Sequence, residues 1–438
     1  MAVSVLLLWG GLVGTGCQDD TPPPPDLGPT ATETTATDTA SPTDTAGTTE
    51  PEPEPEPEPV VTQETVADQD MDDSWFFSLD TIHTIELTLP QASIDGLYAD
   101  PYTYVVGDVA INGDAIDDVG VRLRGKIGSY RSLDGKPKFK VDLNQYVTGQ
   151  RYWGLETLSL NNEVVDYSYL KEPLAYALFE AAGVPASRTG FAEVTVNGAP
   201  YGLYVIIETP DDRFLDRVYD DPSGNLYDGK YVWYGGYSYT LLDFASGVDD
   251  LYTLEEGVDV ANADIKAVSS ALQNAWSSPN FYDDMSAVLN WDEFLRELAV
   301  EQWIGQNDGY CLNTNNYRVY FHPVTGQADI LPWDFDYSFL YDWEWGMDWW
   351  NPRGRLCYAC RADPTCQAAW KEAMSDVLAA ADGLDMVNMF DEMQALIEDA
   401  AYNDPRREAS WSSVEAEQGQ VRAWLTARND EMSREWGL

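Results

Sequence analysis

The order of sequence patterns predicts an α+β fold with a strand-rich first lobe and a helix-rich second lobe. Short runs of alternating apolar and polar residues fill the first part, up to about residue 208. Runs with the helical period of 3.6 residues fill the last part, from about residue 291 onward. Because strands and helices are segregated along the chain, we expect two packed lobes with a cleft between them.

The first part is predicted to form hairpins interrupted by one helix. Asn-Gly pairs at 112–113 and 197–198 and an Asp-Gly pair at 134–135 indicate tight turns, because these residues readily adopt left-handed backbone. A helix is predicted at about 168–182, ended by Gly183. The predicted strands cover residues 81–90, 104–113, 118–126, 136–143, 191–196 and 201–208.

The second part is predicted to be mainly helical. Asn290 and Glu293 form a capping-box pattern that begins an amphipathic helix at 291–304. A polar loop then leads into a hairpin, and the acidic, Tyr-rich stretch before the helix is predicted to mix loops with short helices. The hairpin strands and the last three helices are predicted at residues 316–322, 328–333, 365–382, 386–402 and 412–436.

The first 70 residues are predicted to lie outside the folded domain. Residues 1–17 form a short apolar run that ends at Cys17, a pattern typical of a signal peptide with a lipidated cysteine. Residues 18–70 are rich in Thr, Pro and Glu, so we expect a disordered tether. The folded domain is predicted to cover 71–438 of a secreted or outer-surface lipoprotein of the bacterial cell envelope.

The chain is strongly acidic, with 75 Asp and Glu against 25 Lys and Arg and a formal net charge of −50. Nucleic acid is excluded as a partner because its phosphates would be repelled. Contact with a membrane is expected only through a lipid on Cys17. We expect a monomer, and the charge balance suits divalent cations or cationic partners.

The cysteines predict disulfides in the folded domain. Removing Cys17 leaves four, an even number in an exported protein. A zinc site at the CxxC pair is the alternative, but zinc needs four ligands and the chain has only two histidines. The sequence leaves the pairing open among Cys311, Cys357, Cys360 and Cys366.

Basic residues are concentrated on one predicted strand pair. Residues 1–121 contain no Lys or Arg, whereas seven of the 25 basic residues lie within 122–140. On each strand alternate residues share a face, which groups Arg122, Arg124 and Lys126, and then Lys136, Lys138 and Lys140. Such a face suits a phosphate group. The alternative is a solvated strand face paired with the many acids.

A second polar group follows the helix at 291–304. Asp308 has Asn313 five residues later, and Asn316, Asp334 and Asp336 follow on the hairpin. Carboxylate and amide oxygens suit Mg²⁺ or Mn²⁺, and a separate carboxylate could accept a hydroxyl proton. Protein kinases have the same order of catalytic Asp, Asn and metal-binding Asp. The alternative is a Ca²⁺ site or a structural Asp/Asn loop.

Several long motifs resemble the spore coat protein H (CotH) kinase family, in matching order over about residues 118–340. The resemblance implies an atypical protein-kinase-like, two-lobed fold and phosphotransfer to exported or surface proteins with ATP and Mg²⁺ or Mn²⁺. Other members act as surface ligands, so a non-catalytic adhesin or scaffold that binds a protein or glycan is the alternative. The motifs are RGKIGSYRSLDGKPKFKVDL, LKEPLAYALFEAAGVPASRTGFAEVTVNGAPYGLYVIIETPDDRFL, GNLYDG, NDGY, NNYRVYF and LPWDFDYSF.

The resemblance implies roles for residues on the strands. Lys140 aligns with the lysine expected to hold ATP phosphates, with Lys138 and Lys136 as fallbacks. Arg124, on the neighbouring strand of the cationic pair, is a further candidate for binding the nucleotide. Glu208 aligns with a glutamate that is expected to pair this lysine or line the nucleotide pocket. The alternative for Glu208 is an ion pair with Arg213.

The resemblance also implies roles around the hairpin. Asp308 aligns with the catalytic aspartate and Asn316 with an asparagine of the metal site. Asp336 is preferred over Asp334 as the metal ligand. One departure is RGKIGS in place of RGNSS, which puts Lys126 and Ile127 where small polar residues are usual in a loop that could cover phosphates.

Overall fold

The computed structural model describes residues 72–126, 128–229, 233–234, 237–238, 243–244, 251–259 and 261–438. The predicted signal peptide and tether, Cys17 and Ile127 lie outside the described residues. Within them, the predicted mixed α+β class is confirmed. No described helix is both long enough and apolar enough to cross a membrane.

The first part of the chain forms a closed barrel of seven strands. Its order around the barrel is β1-β2-β3-β4-β5-β7-β6, and β1 closes it by pairing antiparallel with β2 and parallel with β6. Helix α1 (Gln91–Ala99) follows β1, and α2 (Lys171–Ala181) follows β5. The strands are β1 (Ile82–Thr88), β2 (Val105–Ile111), β3 (Asp114–Arg124), β4 (Lys138–Asp142), β5 (Thr157–Asn161), β6 (Thr189–Val196) and β7 (Ala199–Glu208).

Alternation along the strands separates two cores. Tyr204 and Ile206 of β7 lie in the barrel core, whereas Leu203 and Val205 belong to the larger core shared with α2 and the later helices. Since side chains of a strand alternate between faces, β7 is buried on both sides and joins the barrel to the helical part.

A four-stranded sheet and eight helices follow α3 (Asp212–Val218) in the described residues. The strand order in this sheet is β11-β8-β12-β13. Its strands are β8 (Asn225–Gly229), β11 (Tyr252–Glu256), β12 (Tyr317–Phe321) and β13 (Ala328–Pro332). A separate two-stranded sheet pairs β9 (Trp233–Tyr234) with β10 (Tyr237–Ser238). The helices are α4 (Ala263–Ala275), α5 (Phe281–Met285), α6 (Trp291–Ile304), α7 (Tyr310–Asn313), α8 (Arg355–Ala362), α9 (Pro364–Leu384), α10 (Met386–Tyr402) and α11 (Trp411–Trp436).

Local sequence signals predicted much of this arrangement. Both Asn-Gly turns are confirmed, with positive φ at Asn112 and Asn197, and helix α6 has its predicted bounds. The capping box of α6 is wrong, because the Asn290 side chain donates to Asp329 and Glu293 is buried, accepting from the Ile330 amide. Helix α1 and strand β5 were not predicted.

The four described cysteines form two disulfides, which rules out a zinc site at the CxxC pair. Cys311 in α7 pairs with Cys357 in α8, and Cys360 pairs with Cys366 at the start of α9. All four are buried. The first disulfide therefore ties the loop after α6 to α8, while the second ties α8 to α9.

Candidate active site

A cavity of about 460 Å³ lies between the barrel strands β3 and β4 and the β12–β13 hairpin. Its volume is in the range of small-ligand sites, roughly 300–1,000 Å³. The barrel contributes cations and the hairpin side contributes acids and amides to the same cavity. These lining residues are Arg122, Arg124, Lys126 and Lys138 on one side and Asp308, Asn315, Asn316, Asp334 and Asp336 on the other.

Strand pairing explains why the cations gather on one side. In the antiparallel β3–β4 pair, Arg124 is opposite Lys138 and Arg122 is opposite Lys140. Phe139, between the two lysines, is buried in the barrel core. Because successive side chains of a strand point to opposite faces, the cations lie on the outer face of the barrel.

Lys138 is the lysine that meets the acids of the hairpin. Its Nζ atom lies 3.4 Å from Asp336 Oδ2 and 3.8 Å from Asp334 Oδ1, and its side chain is buried. Burial alone would lower the pKa of Lys138, but the carboxylates of Asp334, Asp336 and Glu172 raise it above its ordinary value. The lysine is therefore held charged at the base of the cavity.

The sequence predicts Lys140 as the first phosphate-binding lysine, but it is Lys138, and not Lys140, that lines the cavity beside the hairpin acids. Lys140 is next to arginines instead of the hairpin acids: burial, followed by repulsion from Arg124 and Arg318, lowers the pKa of Lys140 to about 8. Lys136 is also elsewhere, in a buried ion pair with Asp404 at 2.6 Å. Lys138 and Lys140 share one face of β4 and Lys136 lies just before the strand, and the three lysines have three different environments.

Asp308 is surrounded by amide donors. Its Oδ1 accepts from Asn313 Nδ2 at 2.5 Å, and its Oδ2 accepts from Asn315 at 3.1 Å and Asn316 at 3.2 Å. Burial raises the pKa of Asp308 to about 6, against the lowering effect of the Asn313 hydrogen bond. The carboxylate is thus fixed in orientation at the edge of the cavity.

Asn313 and Asn316 separate into two roles. The sequence predicts both as metal ligands, but the Asn313 amide oxygen accepts from Arg353 Nη1 at 3.1 Å while its nitrogen donates to Asp308. Both ends of Asn313 are engaged, so it orients Asp308. Asn316 lines the cavity and donates to the Asp334 carbonyl at 3.3 Å, which keeps it beside the predicted metal-binding acids.

Asp334 and Asp336 follow strand β13 and turn back toward the cavity. Asp334 and Asn316 both have left-handed backbone, with φ of 58° and 49°, an unusual conformation for side-chain-bearing residues and one that clusters at functional sites. Burial and then repulsion from Asp334 raise the pKa of Asp336 to about 7. Asp334 Oδ1 is buried and receives no hydrogen bond from the described residues.

Glu172 completes the acidic group, and the sequence analysis missed it. It lies in the first turn of α2, where its Oε2 accepts from Asn161 at 2.6 Å and its Oε1 accepts from the Phe335 amide at 3.4 Å. Burial, then repulsion from Asp334, raises the pKa of Glu172 to about 8. Its position at the start of the LKEPL motif was the available signal.

Glu208 does not belong to the cavity. Its two carboxylate oxygens accept from Arg188 and Arg217 at 2.5–3.1 Å. The prediction that it pairs the phosphate lysine or lines the nucleotide pocket is therefore wrong, and so is the alternative pairing with Arg213. Glu172 and Glu163 are the glutamates that interact electrostatically with Lys138, with Glu172 the stronger of the two.

Arg124 lies in a cationic patch around one tryptophan. Its guanidinium is 5.5 Å from the Trp333 ring centroid, and that of Arg318 on β12 is 4.9 Å from the same ring. Burial and repulsion from other arginines lower the pKa of Arg124, although Asp334 opposes this. Arg318, which also pairs with Asp228 at 3.3 Å, is a further cation that the strand pattern did not reveal.

The donor set suits a divalent cation that is shared with a ligand. Among the described residues, no group of three His, Cys, Asp or Glu side chains is arranged to hold an ion alone. Asp334 and Asp336 nevertheless repel each other, and Asp334 has one oxygen without a hydrogen-bond donor. Mg²⁺ is often held by one or two carboxylates plus phosphate oxygens and water, so these residues fit that mode of binding.

The comparison with protein families agrees with these motifs. The family model described as CotH kinase protein matches residues 121–432, most of the chain. The protein therefore belongs to the CotH kinase family. The matched segment includes the cation strands, the Asp308 loop and the hairpin acids.

Two curated relatives come from Bacillus subtilis strain 168. Inner spore coat protein H is 24% identical over 202 residues, which cover 44% of this chain and 51% of the relative. An inner spore coat protein H-like protein is 34% identical over 73 residues, 17% of this chain and 22% of the relative. The chain thus spans about half or less of the length of these relatives.

Two solved structures have partial similarity. One is the HipA, HipB and operator DNA complex of the Shewanella oneidensis MR-1 toxin–antitoxin system, at 12% identity and a TM-score of 0.32 over 81% of this chain and 74% of that one. The other is the Helicobacter pylori proinflammatory kinase CtkA, which is 10% identical, with a TM-score of 0.30 over 68% of this chain and 94% of that one. Both TM-scores are too low to support an argument about this protein.

Proposed function

We propose that this protein is an ATP- and divalent-metal-dependent phosphotransferase with a kinase-like, two-lobed fold, acting on Ser or Thr of exported or surface proteins. The observation that carries the proposal is the position of Lys138, buried between Asp334 and Asp336 at the base of a cavity whose barrel side is cationic. A lysine on a strand, a glutamate on a helix and a metal-binding aspartate are the recurring parts of kinase sites. Lys138, Glu172 and Asp336 supply these parts.

The barrel side of the cavity would hold the phosphates of the nucleotide. Arg124 offers a planar fork for two phosphate oxygens, and Lys138 offers a point charge. Lys126, at the rim, is held over the Tyr102 ring at 3.7 Å. An anionic tail bound here would separate Lys138 from Asp336, which leaves the aspartate ready for a cation.

The hairpin side would hold the metal. Asp336 is the main ligand, with Asp334 and the Asn316 amide beside it, and the bound ion would neutralise charge on the transferred phosphoryl group. The role of the protein is to keep two carboxylates at close range despite their repulsion. Burial first, and then this excess of negative charge, raises the pKa values of Asp336 and Glu172.

Asp308 would orient the acceptor hydroxyl and take its proton. In the reaction the hydroxyl oxygen forms a bond to the γ-phosphorus, the bond from that phosphorus to the bridging oxygen breaks, and ADP leaves. A pKa of about 6 leaves Asp308 mostly ionised at neutral pH and still basic enough to receive the proton. Its three amide donors hold it in one orientation for this purpose.

A non-catalytic surface adhesin is the second candidate function, and the exposed aromatics after Asp336 favour it. Trp343 is 69% exposed and Trp350 is 47% exposed, whereas Trp349 of the same segment is buried. Such side chains could bind a protein or glycan. Partner binding without any nucleotide-dependent stabilisation of the folded state would favour this function over phosphotransfer.

We propose an exported location at the cell or spore surface. The supporting observations are the apolar run ending at Cys17, the two disulfides and the similarity to two inner spore coat proteins. Disulfides persist mainly in oxidising compartments. The lipid anchor, the tether at 18–70 and the monomeric state remain predictions of the sequence.

The test is incubation of the purified chain with ATP and Mn²⁺, followed by intact mass. Phosphorylated chain or phosphorylated added protein is expected, and Asp308→Ala should lower the rate by about 10²–10⁴-fold, the usual range for a lost general base. Nucleotide binding should survive in the variant. Undiminished turnover in Asp308→Ala would refute the assigned role.

A further inference from the structure

The loop that carries Asp308 is fastened to the segment before α8 by several independent contacts. Arg353 N and Gly354 N both donate to the Cys311 carbonyl at 2.9 Å. The Cys311–Cys357 disulfide joins the same two segments covalently. We call Arg353, Gly354 and this disulfide the loop clamp.

Close packing supports the clamp. A Cβ atom at Gly354 would lie 2.7 Å from the Tyr310 carbonyl oxygen, so the two backbones approach as closely as only glycine allows. The Tyr310 hydroxyl donates to Asp243 Oδ1 at 3.0 Å, and Asp243 Oδ2 accepts from the Arg355 amide at 3.1 Å. These contacts fix α7 and the start of α8 as one unit.

Two consecutive hydrogen bonds between side chains connect Arg353 of the loop clamp to Asp308. Arg353 Nη1 donates to Asn313 Oδ1 at 3.1 Å, and Asn313 Nδ2 donates to Asp308 Oδ1 at 2.5 Å. An amide whose oxygen is engaged by a guanidinium can present only its NH₂ group to the carboxylate. Arg353 thereby selects the orientation of Asn313 that supports Asp308.

We propose that Arg353 is a positioning residue that aligns Asp308 through Asn313, with the Cys311–Cys357 disulfide keeping Arg353 in place. This inference rests on the proposed phosphotransferase function. Arg353 is exposed and does not line the cavity, so its effect passes through Asn313 and not through the nucleotide. An oxidised disulfide then becomes a condition for full activity, which suits a protein that works outside the cytoplasm.

The experiment compares three substitutions in the full chain. Arg353→Gln should lower kcat about 10-fold with KM for ATP unchanged, since misplacement of a catalytic group by about 1 Å can cost up to about 100-fold. Arg353→Lys, which can still donate to Asn313, should restore part of the loss. Arg422→Gln is the matched control, because it removes an exposed arginine that pairs with Asp391 far along the chain from the loop.

The disulfide has its own control within the chain. Cys311→Ser with Cys357→Ser should lower kcat at least as much as Arg353→Gln. Cys360→Ser with Cys366→Ser removes the neighbouring disulfide, which joins α8 to α9 and forms no covalent link to the Asp308 loop, and should leave kcat within about 2-fold. If the first pair prevents folding, Arg353→Gln still tests the inference.

Hydrogen exchange of residues 308–316 provides a readout that does not depend on activity. Faster exchange in Arg353→Gln, but not in Arg422→Gln, is expected. If the wild-type chain transfers no phosphoryl group, the proposed function fails while this readout still decides on the clamp. Unchanged exchange and kcat in Arg353→Gln, or an equal loss in Arg422→Gln, would overturn the positioning role.

Discussion

Two groups of buried or partly buried acids in this protein differ in whether a basic side chain lies next to them. In the first group, Asp334, Asp336 and Glu172 act on the buried charge of Lys138, and Asp308 lines the same cavity. Helix α6 carries a second group of three glutamates spaced four residues apart, all buried. These three glutamates are Glu293, Glu297 and Glu301. Among the described residues, none of the three forms an ion pair with a Lys or Arg.

The glutamates of α6 have raised pKa values although none of them lines the cavity described above. Burial, followed by repulsion from Glu301, raises the pKa of Glu297 well above its ordinary value, and neither of its oxygens receives a hydrogen bond from a described donor. Burial raises the pKa of Glu301 to about 7. A perturbed carboxylate therefore indicates burial first, and indicates chemistry only where a cation and an open cavity accompany it.

Removing the cation from the cavity group should have the largest effect. Lys138→Met is expected to reduce phosphotransfer about 10²–10³-fold, because the phosphate charge loses its buried partner and the acids lose their counter-charge. Steady-state rates with ATP and Mn²⁺ measure this. Lys140→Met, on the same strand face but beside arginines, is the matched control and should lose less than about 10-fold. Equal losses in the two variants would contradict the assignment of Lys138.

Removing a charge from the α6 group should change stability instead of activity. The folded-state pKa of Glu297 is raised, so between its unfolded value and this raised value the unfolded state binds fewer protons and stability falls as pH increases. Glu297→Gln should abolish that loss. The variant is therefore expected to be more stable than the wild type at pH 8 and to differ little from it at pH 4.

Urea unfolding at the two pH values checks this expectation. The rate of phosphotransfer in Glu297→Gln serves as the control and should stay within about 3-fold of the wild type, because the side chain does not line the cavity. A destabilised variant at pH 8 would show that Glu297 is charged and satisfied in the folded state. A large loss of transfer would place the α6 group in the active site.

The sequence predicted which segments build the site better than it predicted individual contacts. The Asn-Gly turns, helix α6 and the hairpin follow from local signals, and they bring Asp308, Asn316 and Asp336 to one cavity. Period-two alternation places Lys136, Lys138 and Lys140 on one face equally. Only the packing of the hairpin against the barrel selects Lys138 among them.

Other features depend on partners that are distant along the chain. Glu172 is held near Lys138 by a hydrogen bond from Asn161 at the end of β5, a strand that the pattern did not reveal. Glu208 is taken by Arg188 and Arg217, whose proximity is set by the barrel. The pairing of Cys311 with Cys357 likewise follows from the contact of α7 with α8. None of these contacts has a local sequence signature.

Thermal unfolding with ATP and Mn²⁺ tests most directly whether the cavity binds a nucleotide together with a metal ion. A ligand that binds only the folded state raises the midpoint temperature of unfolding, and at 100 times its Kd it adds about 2.7 kcal/mol to the free energy of unfolding. We predict that the midpoint temperature of the wild type rises when ATP and Mn²⁺ are both present and rises less with either ligand alone. In Asp336→Asn, the additional rise that requires both ligands should be lost. No rise in the wild type, or an equal joint rise in Asp336→Asn, would contradict this prediction.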